Sequence, residues 1–264
     1  MEIAPLIYSR TFYQDFNPNF AVRPKDLNVQ WAAGKVLPSM RDVDILNGVR
    51  RMFATDGKIC IAGIACNFRY FVENYLSADE RTEAENYLQD ERGRGLKIFL
   101  GYAFKSGGVP DVSDSKLWQM FKAMLANKWK NPTVDTVFAS YENCGVKNIS
   151  GKPNQKFYPA NERDDVEIFN QCVAARKDFC SNVDAVKIFE DGKYEVITAP
   201  QSIINRLKEE AQKKTSPQPQ STPRQEQITN QRTQSRHTAE KKSNIPLILA
   251  AVVLILAVVY FLMT

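Results

Sequence analysis

The chain of 264 residues has one histidine, His237, and it lies in the polar stretch TQSRHTAEKK, away from any apolar pattern. The part that patterns as folded therefore lacks the commonest general base near neutral pH. A Ser-His-Asp triad, a Cys-His dyad, a His-containing zinc site and a two-His-one-carboxylate site cannot be built there. Chemistry in that part must run on carboxylates, Lys, Tyr, Cys or a cofactor that the sequence does not specify. G-x-x-x-x-G-K-[ST] is absent, as is a G-x-G-x-x-G run that opens a helix. There is no internal repeat. The start, MEIAPLIYSRTFYQDF, has an acid at position 2 and neither a basic stretch nor a long apolar run, so it does not read as a secretory signal. Cysteine is scarce and odd in number: Cys60, Cys66, Cys144, Cys172 and Cys180. Their spacings match no zinc knuckle, and an odd count in a chain read as cytoplasmic argues against a disulfide framework. Buried free thiols are the expectation, with Cys144, near Lys147, the one loop thiol worth testing for reactivity.

Apolar residues make up 44% of the chain and charged residues 25%, ordinary values that place most of it among folded proteins. The strongest positive signal is residues 245–263, IPLILAAVVLILAVVYFLM, with no charge. As a helix this run is about 28 Å long, close to the roughly 30 Å of a bilayer's hydrocarbon core. Ile245, Leu249, Val253, Leu256 and Tyr260 sample a surface that is apolar all round, unlike an amphipathic surface helix. Pro246 falls in the first turn, where a missing N–H costs little, and Tyr260 falls at interfacial depth. The segment is expected to be a single membrane anchor at the end of the chain, a tail anchor in the lipid bilayer. Arg232, Arg236, Lys241 and Lys242 flank it on the N-terminal side, which by the positive-inside rule puts the large N-terminal part in the cytoplasm.

Residues 211–244 are rich in Gln, Ser, Thr and Pro and read as a disordered tether without heptads. The tether carries seven basic residues and two acids, which accounts for the whole net charge of +5 and leaves residues 1–210 neutral. A neutral domain argues against nonspecific nucleic-acid binding. The basic tether reads as a topology signal, a solvated linker or a contact for anionic lipid headgroups, the last worth about 1 kcal/mol per basic residue near the surface.

Residues 1–210 are long enough for one sizeable domain. Strand-like and helix-like runs alternate, so an α/β or α+β class is expected, with a mixed central sheet and flanking helices. Residues 3–13 read as a strand and the Pro- and Asn-rich stretch to about residue 40 as irregular. Residues 42–56 show helical spacing, 57–68 read as a buried strand, and 67–76 fit either state. Ser77-Ala-Asp-Glu80 is a capping box opening a charged helix over 77–94. A strand is expected at 95–105, a helix at 113–131, a strand at 133–141 and a helix at 164–180. Residues 185–199 read as a hairpin turned at Asp191-Gly192, and 200–214 as a last helix.

Two places in this domain suggest anion binding. Arg92 and Arg94 flank Gly93 and suit a phosphate or carboxylate. Ser106, Gly107 and Gly108 open a strand-to-helix loop whose backbone amides can cradle an anion. Each also fits a plain surface turn with local ion pairs. Trp118, Lys122, Lys128, Trp129 and Lys130 interleave aromatics and bases on one expected helix, with a core face the simpler reading. These features support a membrane-anchored binding or regulatory module for a protein partner or a small ligand. The alternatives are a tethered enzyme using carboxylate, Lys, Arg or nucleotide chemistry, and an effector acting on the membrane.

Overall fold

The computed structural model describes residues 2–9, 20–43, 45–46, 48–90, 92–105, 110, 119, 134–140, 149 and 151–215. The chain divides into residues 1–217 and 218–264, and the second part lies outside the described residues. The expected helix at 113–131 falls outside them too, apart from the one position 119, as does most of the expected tether and all of the expected span, Ile245, Leu249, Val253, Leu256 and Tyr260 included. Among the described residues no helix is long and apolar enough to cross a membrane.

The described part is a mixed α/β fold. Its strands are β1 (Glu2–Ser9), β2 (Val22–Pro24), β3 (Arg50–Thr55), β4 (Cys60–Asn67), β5 (Lys97–Phe104), β6 (Val134–Thr136), β7 (Ala139–Ser140), β8 (Phe157–Pro159), β9 (Phe179–Cys180) and β10 (Val196–Ala199). Its helices are α1 (Val29–Ser39), α2 (Phe68–Tyr75), α3 (Ala78–Ala84), α4 (Glu162–Ala175), α5 (Val186–Gly192) and α6 (Gln201–Thr215). The strands form one sheet in the order β6-β2-β1-β5-β4-β3-β9-β10-β8, with β7 paired to β1. The long strands β1, β5, β4 and β3 are antiparallel, while β8, β10 and β9 run parallel through the α4 and α5 crossovers.

Both faces of the sheet are covered. Phe68, Phe71 and Val72 of α2, Ala84 of α3 and Ile168, Phe169 and Cys172 of α4 pack on Ile98, Leu100, Tyr102 and Phe104 of β5. Ala32, Ala33 and Val36 of α1, Ile188 of α5 and Ile203, Ile204 and Leu207 of α6 belong to the opposite cluster, with Phe99 and Ala103 of β5. Alternate residues of one strand thus feed two cores, which is why β4 and β5 read as unbroken apolar runs. At the centre Gly63 pairs with Gly101. A Cβ on Gly101 would strike the Ala62 carbonyl and lie 2.7 Å from the Gly63 Cα, so backbone occupies the space a side chain needs.

Four expectations are corrected. Residues 42–56 form no helix: a loop leads into β3, whose Phe53 feeds one core and whose Met52 and Ala54 feed the other. The supposed hairpin at 185–199 is α5 followed by β10, and the chain leaves α5 through Lys193 in the left-handed region (φ 49°). The supposed irregular stretch before residue 40 contains β2 and α1, the latter capped by Asn28, whose Oδ1 accepts from the Trp31 N–H at 3.1 Å. The capping box at Ser77 and Glu80 is present, but α3 ends at Ala84 and a single 3-10 turn follows.

Candidate functional site

The end of α1 borders a half-open pocket of about 500 Å³. Ala33, Gly34, Leu37 and Pro38 of α1, Met40 just beyond it and Tyr8 of β1 give it an apolar floor. Arg41, Asp42, Asp191 at the end of α5 and Lys97 at the start of β5 add charge. Arg41 Nη2 meets Asp191 Oδ2 at 2.7 Å with both side chains about one-third exposed. A second guanidinium nitrogen, Nη1, is shut off from solvent and has no hydrogen-bond partner among the described residues. A pocket of this size, mostly apolar with a few charged groups, has the character of a small-molecule site.

Its wall is fixed from beneath by Arg50, which is fully buried at the start of β3. Arg50 Nε donates to the Asn182 carbonyl at 3.0 Å, and Nη1 donates to the carbonyls of Ser39, at 3.2 Å, and Arg41. Nη2 pairs with Asp184 at 2.7 Å. One side chain therefore joins the end of α1, the loop after it and the β9–α5 connection. The sequence reading missed Arg50, because in a segment read as a helix over 42–56 the pair Arg50-Arg51 fell off the apolar stripe.

Arg92 and Arg94 lie in the turn before β5, organised around Asp90. The Asp90 carboxylate accepts from the amides of Arg92 and Arg94, each at 2.9 Å, and from Arg94 Nε at 2.7 Å. Burial pushes the Asp90 pKa up, but these bonds outweigh it and hold it below the ordinary carboxylate value. Arg94 is thus committed to a structural turn, while the Arg92 side chain is exposed. Ser106, Gly107 and Gly108 lie outside the described residues. Their described neighbour Lys105 follows the far end of β5, an eight-residue strand that separates it from Arg94 by about 25 Å.

Cys60, Cys66, Cys172 and Cys180 are free and buried, as the composition led us to expect, and Cys144 lies outside the described residues. Burial pushes the Cys172 and Cys180 thiols up to about 12 and the Cys66 thiol higher still, so these three stay protonated and unreactive at neutral pH. Among the described residues no group of His, Cys, Asp and Glu is placed to hold a metal ion. Comparison with protein-family models, curated proteins and solved structures finds no match to this chain.

Proposed function

We propose that the α/β domain is a sensor for a small ligand, held at a membrane by residues 245–263. The observation that carries the ligand part is the pocket beside α1, with its apolar floor, its charged rim and Arg50 bracing its wall. The membrane part rests on the uncharged run at 245–263 and the basic residues before it. In this reading the domain faces the cytoplasm, the tether's seven basic residues contact anionic headgroups, and the ligand state is passed to a protein partner at the membrane surface.

Native mass spectrometry of the full chain, extracted from expressing cells into nanodiscs, tests the sensor reading. A bound small molecule at one per chain is expected, and Gly34→Leu, which puts a branched side chain into the pocket wall, is expected to remove it. A ligand-free chain, or an adduct that survives Gly34→Leu, would overturn the reading.

A further inference from the structure

We infer that this pocket takes an uncharged, mostly apolar molecule bearing one N–H or O–H group, which donates to the carbonyl of Gly34. The inference rests on the sensor reading above and specifies the ligand.

The first ground is where the carbonyls of α1 find their donors. A helical carbonyl accepts from the amide four residues on. For Gly34 that residue is Pro38, which has no N–H. The carbonyls that follow are served. Lys35 accepts from the Tyr194 hydroxyl. Val36 and Leu37 accept from the Met40 N–H, each at 3.2 Å, and Pro38 accepts from the Arg41 N–H at 3.1 Å. Ser39 accepts from Arg50 Nη1 at 3.2 Å. The carbonyl that loses its helical donor is the one in the pocket wall: Gly34, Leu37 and Pro38 all line the pocket, and on a helix the Gly34 carbonyl projects between Gly34 and Pro38. A proline ring crowds the carbonyl four residues before it and pushes it off the helix axis. Gly34 has no side chain to stand over it, and a Cβ built there meets no atom within 4 Å, so the space beside this peptide is open. A backbone acceptor in an apolar setting gains from a donor.

The second and independent ground is the charge of the lining. Arg41 and Lys97 are matched by Asp42 and Asp191, so the pocket is neutral. Arg41 is already held by Asp191 at 2.7 Å. Tyr8, Ala33, Leu37 and Met40 make the rest of the surface apolar. A charged ligand would bring an unmatched charge into this setting and lose its hydration, whereas a neutral apolar one loses little. A pocket of about 500 Å³ has room for such a molecule. A small heteroaromatic with a ring N–H joins both requirements, an apolar body and a single donor.

Isothermal titration calorimetry on the full chain in nanodiscs, with empty nanodiscs as the blank, tests this with indole and 1-methylindole, which lacks the donor. One indole per chain is expected, with 1-methylindole about fivefold or more weaker. Pro38→Ala returns an N–H to the Gly34 carbonyl. It should bring indole down to the level of 1-methylindole, and because alanine is the better helix residue its thermal melt should be no lower than that of the parent. Gly34→Leu should abolish both. Equal binding of the two probes, a Pro38→Ala variant that discriminates like the parent, or binding that survives Gly34→Leu would each overturn the inference. If Gly34→Leu fails to fold, the two probes on the parent and on Pro38→Ala decide alone. If neither probe binds while mass spectrometry finds a Gly34→Leu-sensitive adduct, the ligand class falls and the sensor reading stands.

Discussion

Asp165 has no solvent exposure, and its carboxyl meets Thr198 of β10, whose hydroxyl also accepts from the Asn182 N–H at 3.0 Å. Its Oδ2 has no hydrogen-bond partner among the described residues. Burial raises its pKa, and the bonds from Thr198 and Asn161 with the charge of Arg51 offset this only in part. A folded-state pKa above the unfolded one means that the native state binds the proton more tightly. At neutral pH Asp165 therefore destabilises the fold, and the deficit is relieved as pH falls through the raised value towards the ordinary one. Asp90 works in the opposite direction: its lowered pKa contributes stability above the ordinary carboxylate value, which is lost in acid. Asp165→Asn keeps the shape and removes the charge. It is expected to raise the melting temperature at pH 7, with an advantage that shrinks steadily as pH is lowered. A variant less stable than the parent at pH 7, or an advantage independent of pH, would count against this account.

At the scale of single elements, two glycines make opposite predictions from the same chemistry. Gly101→Ala pushes a Cβ into the Ala62 carbonyl and the Gly63 backbone, which cannot rotate away. It is expected to lower unfolding free energy by about 1–3 kcal/mol or more. Gly34→Ala enters open space on a helix and is expected to raise it by up to about 1 kcal/mol. Urea melts read both: a shifted midpoint at unchanged slope is the expected signature. The elements best legible in the sequence were those with a local signal: the apolar runs of β4 and β5, the capping box of α3 and the amphipathic α6. α1 was missed because its buried side is made of small residues, Ala32, Ala33, Val36 and Ser39, and because Pro38 reads as a break. Pro38 cannot donate to the Gly34 carbonyl, and the helix ends one residue later at Ser39. β3 and α5 were misassigned for a related reason. In a sheet with two cores alternation carries little information, and a seven-residue helix such as α5 is too short for its period to show.

At the scale of the whole molecule the candidate site was not legible at all. Tyr8, the stretch from Ala33 to Asp42, Lys97 and Asp191 are four separate parts of the chain, so no motif could announce them. The two anion sites that looked local in sequence gave Arg94 to Asp90 and left Ser106, Gly107 and Gly108 outside the described residues. The proposed membrane attachment has two parts that physics separates. An apolar span holds a chain whatever the salt, whereas basic residues hold it only to anionic lipid and only within a Debye length, about 8 Å at physiological ionic strength. The full chain is therefore expected to stay in the pellet when membranes are extracted with alkaline carbonate. Deleting residues 245–264 should release it. The truncated chain keeps the seven basic tether residues. It should bind phosphatidylserine vesicles at low salt, lose them as salt is raised, and ignore phosphatidylcholine vesicles throughout. A truncated chain that still resists carbonate would move the anchor elsewhere in the chain, and one that ignores phosphatidylserine at low salt would reduce the tether to a spacer.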